Sequence, residues 1–304
     1  MKKRIVLAGG SGLLGMSAAN FLKSRGYDIS ILSRGASNND GEIKKIHWNG
    51  IDEGKWIEEL NGAHSLINFT GKTINCIHNA KNKKEIVDSR INSVVALNNA
   101  IAKIDDPPIS FIQCGAIGYY GNTDIPSDEN TPNGNNFLAS LAKNWEEEFF
   151  KKKLPNTRKV LLRIGLPLSI NGGVLPPLLQ LTKFYLGGKT GDGKQYLSWI
   201  DNYDLNRIFL YAIDKDNLSG IYNATSPSPV TNEEFMRTLR KVLKRPWSPP
   251  APSLFVKIGA KYLFQTEPEL ALNGINSIPT KLIDSGFCFK NTDLEETLRE
   301  IIKN

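Results

Sequence analysis

Residues Lys2 to Gly35 read KKRIVLAGGSGLLGMSAANFLKSRGYDISILSRG, and the rest of the chain is organised around them. Arg4-Ile5-Val6-Leu7-Ala8 is a short apolar run with the length and branching of a buried strand. Gly9-Gly10-Ser11-Gly12-Leu13-Leu14-Gly15 is a glycine turn. Leu14, Ala18, Phe21, Leu22 and Arg25 then follow at helical spacing until Gly26 stops the helix. A second apolar run, Ile29-Ser30-Ile31-Leu32, ends at Ser33-Arg34. Strand, glycine turn, helix and strand in about 35 residues make a βαβ unit the size of a dinucleotide-binding half.

The turn has a physical task. Backbone without Cβ atoms can take positive φ and approach a pyrophosphate closely. The helix behind it presents unpaired N–H groups and the positive end of its dipole. Gly15, one turn into the helix, lets helix and strand pack closely. The end of the second strand discriminates between cofactors. A ribose with a free 2′-OH usually meets an Asp or Glu there, whereas a 2′-phosphate meets an Arg. Ser33 and Arg34 supply a hydroxyl and a guanidinium, with no acid beside them. This pair favours NADP(H) over NAD(H), because a guanidinium can grip a phosphate bidentately.

The chain has 304 residues, enough for one large α/β domain or a larger domain with a smaller one. At 40% hydrophobic and 23% charged residues it can build a substantial core. The net charge of +7 does not imply nucleic acid, because the charges are interleaved. Glu146-Glu147-Glu148 precedes Lys151-Lys152-Lys153, which predicts i,i+4 pairs Glu147/Lys151 and Glu148/Lys152 on one helix. No aromatic-rich basic motif marks a nucleic-acid face. Cys76, Cys114 and Cys288 are far apart and suggest no disulfide framework. His47, His64 and His78 form no metal-ligand pattern. The apolar run before Gly9 is too short for a signal peptide, and no apolar segment reaches ~18 residues. These features point to a soluble, cytoplasmic protein with no membrane span.

Residues 36–62 read as polar and irregular around Trp48 and Trp56. Ser65-Leu66-Ile67-Asn68-Phe69 reads as the next parallel strand, and Thr70-Gly71 follows it at the carboxyl edge, where open α/β sheets bind ligands. Residues 80–104 form a long helix. Glu85 and Arg90 near its start face either the cofactor cleft or solvent. Ser110-Phe111-Ile112-Gln113-Cys114 is a strand leading into Gly115-Ala116-Ile117-Gly118-Tyr119-Tyr120-Gly121. Those two tyrosines either contact substrate, as a phenol acid does when its pKa is lowered, or pack against the turn. Phe137 to Lys151 is a helix, and Lys159 to Arg163 the following strand. The glycines at 172–173, 187–188, 191 and 193 mark turns in loops. Asp204-Leu205 opens a helix reaching Ala212, and Gly220 to Ala224 is a strand. Thr231 and Glu234 have capping-box spacing for a helix through Leu243. Arg245 to Pro252 is a stiff proline-rich connector, and an amphipathic helix runs from about Thr292 to Ile302. There is no internal repeat.

With those segments in place, the chain resembles the extended short-chain dehydrogenase/reductases. More narrowly it resembles the "epimerase family protein" branch, whose members carry the labels nucleoside-diphosphate-sugar epimerase and, in cyanobacteria and plastids, cell-division inhibitor. The shared segments run nearly end to end. In the N-terminal half they are Gly9-x-x-Gly12-x-x-Gly15, Leu32-Ser33-Arg34, Ile67-Asn68-Phe69-Thr70-Gly71, Asp88-Ser89-Arg90 and Ala116 to Gly121. Further on they are Trp145-Glu146, Arg163-Ile164-Gly165, Ser198-Trp199-Ile200 with Asp204-Leu205, and Asn223-Ala224 with Val230 to Phe235. The resemblance implies a Rossmann-type doubly wound parallel sheet with a smaller C-terminal substrate or lid domain. The NADP-binding part would span residues 1–165, completed by about 195–225, and the lid 166–194 and 226–304. It implies contacts at Ser11, Gly12, Leu13 and Leu14 for the pyrophosphate, with Gly9 and Gly15 also in the cofactor site. Ser33 and Arg34 would hold the 2′-phosphate, and Phe69, Thr70 and Gly71 the ribose. Glu85, Arg90 and Ala116 would also face the cofactor.

The catalytic pattern departs from the superfamily. Its active members use a Ser or Thr with a Tyr and Lys spaced Y-x-x-x-K, the Lys lowering the tyrosine pKa. At the serine position stands Gly115 or Ala116, and Ala139 stands four residues before Lys143. Asp201 stands where the branch usually has His. Tyr120, Tyr119 and Lys143 are therefore the candidate catalytic residues. The expected function is an NADP(H)-dependent oxidoreductase or sugar-nucleotide epimerase acting on a small molecule. The alternative is a dinucleotide-binding sensor or scaffold that has lost the chemistry and works through a protein partner, which the branch's cell-division label suggests.

Overall fold

A computed structural model describes residues 2–38 and 42–303. Its centre is a parallel sheet of seven strands: β1 (Arg4–Ala8), β2 (Asp28–Ser33), β3 (Lys44–His47), β4 (Ser65–Asn68), β5 (Ser110–Ala116), β6 (Arg158–Ile164) and β7 (Gly220–Ala224). The spatial order is β3-β2-β1-β4-β5-β6-β7. The direction of winding reverses between β1 and β4, and the crevice at that reversal is where doubly wound sheets take ligands.

Alternation along each strand builds two cores. Ile5 and Leu7 of β1 face one side with Ala18, Ala19 and Leu22 of helix α1 (Leu13–Ser24). Val6 and Ala8 face the other with Val94 and Leu97 of α2 (Ala80–Ile101), and with Trp145 and Phe149 of α3 (Phe137–Lys151). The inner strands β1 and β4 are covered on both faces, which explains why they read as near-continuous apolar runs rather than alternating.

A third core lies beyond the carboxyl edge. Leu175 and Leu179 of α4 (Leu175–Lys183) meet Trp199, Phe235 and Leu239, and the terminal helix Leu294–Lys303 adds Leu294 and Leu298. Before this core, α5 (Asn202–Asp214) returns to the α1 face of the main sheet; within it, α6 (Asn232–Val242) opens at Thr231, whose hydroxyl accepts from Glu234 N at 3.2 Å. A four-stranded sheet of short segments links this region to the cleft, in the order Val230–Thr231, Tyr196–Leu197, Ile275–Ser277, Thr123–Ser127.

Three readings of the sequence need correction. Residues 36–62 are not wholly irregular, since β3 pairs with β2 there and Trp48 and Trp56 are buried against each other, centroids 4.9 Å apart. The turn at Gly172-Gly173 does not continue as a loop through Leu175 and Pro176, which instead open α4. The predicted Glu147/Lys151 and Glu148/Lys152 pairs give way to neighbours at equal reach: Lys151 bonds Glu148 at 3.1 Å, Lys143 lies 3.8 Å from Glu147, and Lys152 reaches Asn99 at 2.8 Å. No helix among the described residues is long and apolar enough to cross a membrane.

Candidate functional site

The glycine turn is held on three sides. Gly9 takes φ +69° and donates to Leu32 O at 2.8 Å, and a Cβ there would lie 2.8 Å from Thr70 Oγ1. A Cβ on Gly15 would lie 2.5 Å from Gly10 Cα, so this glycine lets α1 press onto the turn. Gly12 is different, because a Cβ there would meet nothing within 4 Å. It caps α1 without a side-chain bond, and no acid sits in the helix's first turn. Open backbone N–H groups at the positive end of a twelve-residue helix thus face the crevice.

Around this turn lie the other residues expected at a cofactor. Ser33 ends β2 nearly buried, and Arg34 beyond it is exposed, with no hydrogen-bond or ion-pair partner among the described residues. Thr70 Oγ1 is buried beside Gly9 and has no hydrogen-bond partner among the described residues, an orphan that a ribose hydroxyl would satisfy. Phe69 packs edge-on against Phe209, 5.2 Å between centroids. Ser11 and Leu13 are exposed at the turn and Leu14 is half-buried. The open approach at Gly12, the orphan hydroxyl and the uncommitted guanidinium fit a dinucleotide.

Glu85 and Arg90 diverge. Glu85 pairs with Lys72, which lowers its pKa. Arg90 has no carboxylate partner among the described residues. Its Nη1 donates to Lys72 O and Ile86 O at 2.9 and 3.1 Å, and the guanidinium lies 5.1 Å from the Trp145 ring centroid. Burial pushes its pKa down to about 10, so it remains a cation at neutral pH. Gly71 leaves room for it, since a Cβ there would come within 3.1 Å of Arg90 Cζ.

Arg90 forms one wall of a cavity of about 280 Å³ at the carboxyl ends of β5 and β6. Ala116, Ile164 and Gly165 make its floor, and Leu138, Leu141 and Trp145 of α3 one side. Tyr196, Ser198, Glu267 and Leu270 close the other side, and His78 joins from the loop after β4. His78 Nε2 bonds Ile74 O at 2.9 Å, its ring lies edge-on to Phe137, and its backbone N–H donates to Glu267. Sequence reading passed over His78, Tyr196 and Glu267. His78 forms no metal-ligand pattern, and nothing local marks the other two, because tertiary contact brings them to the cleft. The one available signal was the position of His78 after a parallel strand's carboxyl end.

The tyrosines do not line this cavity. Tyr120 is 4% exposed, and its hydroxyl lies 2.8 Å from both Asp128 O and Asn223 Oδ1 and accepts from Arg163 Nη1 at 2.9 Å. Burial pushes its pKa up to about 12. Arg163 also makes a bidentate pair with Glu146, both bonds 2.8 Å, and stacks 3.5 Å from the Tyr119 centroid. Lys143 lies half-exposed on the solvent side of α3, while Ala139 is fully buried. Asp201 is buried and bonds Asn291 Nδ2 at 2.6 Å.

Fold and site together define a Rossmann-type protein of the epimerase/dehydratase class. Residues 5–146 match the NAD dependent epimerase/dehydratase family, and residues 251–301 match a domain of unknown function, DUF1731. The chain belongs to the epimerase family proteins: it is 33% identical to epimerase family protein YfhF of Bacillus subtilis, over 98% of this chain and 97% of that one. Among solved structures it is similar to human epimerase family protein SDR39U1 (isoform 2) with NADPH, at TM-score 0.87 and 27% identity over 99% of both chains. It is also similar to a nucleoside-diphosphate sugar epimerase from Corynebacterium glutamicum, at TM-score 0.79 and 27% identity, covering 99% of this chain and 58% of that one.

Proposed function

We propose that this protein binds NADP(H) across the β1–β4 crevice and acts as an oxidoreductase on a small carbonyl or hydroxyl compound in the adjoining cavity. The observation that carries the reading is Arg34, exposed at the end of β2, without a partner among the described residues and with no acid beside it in sequence. A carboxylate there would repel a 2′-phosphate, whereas a free guanidinium receives one. The NADPH bound by the human relative supports the same reading. In this assignment Gly12, Leu13 and Leu14 hold the pyrophosphate through backbone N–H groups. Thr70 meets a ribose hydroxyl, and residues 166–194 and 226–304 close over the substrate.

When bound, NADPH supplies a hydride; the protein supplies position and a proton. Tyr120 is a poor donor, because its raised pKa and its three partners at hydrogen-bond distance fix it in the interior. The hydroxyls on the cavity wall are those of Tyr196 and Ser198, beside the His78 imidazole and the carboxylates of Glu267 and Glu269. The same wall carries a single cation, Arg90, against those two carboxylates, so it suits a compact carbonyl better than the diphosphate of a sugar nucleotide.

Calorimetry with NADPH and NADH tests the cofactor assignment. The wild type prefers NADPH, and Arg34→Ala weakens NADPH by about ten- to hundredfold, the worth of a charged hydrogen-bonded contact, while leaving NADH nearly unchanged. Equal affinities in the wild type would sink it. A second reading, a dinucleotide-binding sensor without turnover, draws on buried Ala139 and outward-facing Lys143, which leave no Y-x-x-x-K dyad. NADPH oxidation with any member of a carbonyl panel decides against it; tight binding with no oxidation across the panel decides for it.

A further inference from the structure

Eleven of the nineteen large hydrophobic side chains exposed among the described residues come from two short segments, 181–186 and 247–264. Isolated exposed side chains need no explanation, but a concentration of this kind marks a docking surface. Leu263 is 80% exposed, Phe184 and Tyr262 72%, and Trp247 and Phe255 67%. The segments touch each other. Arg245 Nε donates to Lys183 O at 3.3 Å, its guanidinium lies 5.0 Å from the Tyr185 centroid, and Ala251 N donates to Lys189 O at 2.8 Å. The chain then runs into the helix Ser253–Ile258 and the wider turn Gly259–Leu263. Only Val256, Gly259 and Ala260 of that stretch face inward, so its large apolar groups point to solvent.

Within the second segment the charge has one sign, and acids resume only at Glu267 and Glu269. Residues 235–266 hold seven arginines and lysines and no aspartate or glutamate. Arg237 and Lys241 are matched with Glu234 and Glu295. Arg240 donates to Gly187 O. Lys183, Lys244, Arg245, Lys257 and Lys261 form no ion pair among the described residues, so the apolar face is rimmed by uncompensated cations.

We propose that this face docks in the plane of an anionic lipid surface, its apolar side chains entering the headgroup region and its lysines meeting the phosphates. Charge complementarity selects this occupant. A two-fold contact with a second copy would set the patch against itself, cation against cation. Trp247, Tyr185 and Tyr262 present rings with one polar tip, the chemistry of the water–lipid boundary. Protruding apolar groups beside Lys and Arg are the pattern of helices that lie on a membrane rather than cross it.

Sedimentation of the full chain with phosphatidylcholine vesicles, with and without phosphatidylglycerol, tests the proposal. The protein pellets with the anionic vesicles, stays in the supernatant with the neutral ones, and is released as salt is raised. The pair Lys257→Glu and Lys261→Glu lowers partitioning at least tenfold, as does the pair Phe255→Ser and Leu263→Ser. All four side chains are exposed, so both variants keep the wild-type melting temperature and NADPH affinity. On anionic vesicles the emission shifts to the blue, and Trp247→Phe removes that shift. Absence of sedimentation with anionic vesicles, or sedimentation unchanged in both double variants, overturns the proposal. So does a concentration-dependent dimer that both pairs of substitutions abolish, which would assign the face to a second copy.

Discussion

At the scale of single residues, the buried ion pair Glu146–Arg163 decides what Tyr120 can do. Both charges are nearly excluded from water, at 7% and 2% side-chain exposure. Burial works against the Arg163 charge, but the carboxylate and the Tyr120 hydroxyl outweigh it and the guanidinium stays protonated. Removing one partner strands the other, so Glu146→Ala should cost about 3–5 kcal/mol of unfolding free energy, measured in urea. Tyr120→Phe should lower stability by about 1–3 kcal/mol through an unmet Arg163 donor, yet leave any NADPH turnover intact. A turnover loss without a stability loss would return Tyr120 to the chemistry. Cys114 is a quieter case: burial raises its thiol pKa well above the usual range and exposes almost none of it. Timed alkylation near pH 8 should therefore label exposed Cys288 first, and Cys114 only after denaturation. The tyrosines were conspicuous in sequence because they follow a strand's carboxyl end between glycines. Their partners, Asn223 and Arg163, lie 103 and 43 positions away and could not be read locally.

At the scale of elements, the glycine turn and α1 separate folding from binding. Gly15 packs on backbone, and a methyl group 2.5 Å from Gly10 Cα has no flexible neighbour to displace. Gly15→Ala should lower the melting temperature and, by shifting α1, weaken NADPH. Gly12→Ala meets nothing, so it should melt like the wild type while losing NADPH affinity, because its methyl group would enter the space proposed for the pyrophosphate. Equal effects of the two substitutions on melting would contradict this division. The same physics explains which elements were legible. α3 was readable to the residue because Leu141, Trp145 and Phe149 repeat at helical spacing. β7 was readable because Ile221 and Tyr222 follow the turn residue Gly220 that opens it. β3 was not, since three of its four residues are exposed, two of them lysines, the composition by which an edge strand avoids further pairing. α4 was hidden by Gly172-Gly173 and Pro176-Pro177; the prolines sit in its first turn, where their missing N–H groups cost nothing.

Across the whole molecule, a doubly wound parallel sheet was legible from the opening βαβ unit and the family resemblance, but the cavity was not, because its walls come from residues as distant as Ile74 and Ile275. The C-terminal region is tied into the sheet by buried polar bonds. Asp204, fully buried on α5, accepts from Lys290 N and Asn291 N at 2.9 Å each. Glu129 accepts from Asn223 N of β7 at 2.9 Å and from Lys281 N at 3.2 Å. Leu282 and Phe287 belong to the same core as Ile5 and Leu7. A lid that could open as an independent unit would not share its core with the sheet. Separating it would break these bonds and leave Asp204 with its helix neighbour Arg207 as partner, at about 1 kcal/mol for each bond lost. The two regions should therefore melt together, despite a chain length at which intermediates are common. Far-ultraviolet circular dichroism follows the whole sheet, whereas an emission difference between wild type and Trp199→Phe follows the third core. Coincident midpoints are expected, and NADPH at about a hundred times its Kd should raise both together by the equivalent of ~2.7 kcal/mol. A Trp199 signal that melts first, and does not move with NADPH, would show that the C-terminal region is a separate folding unit and that the cofactor is held by the sheet alone.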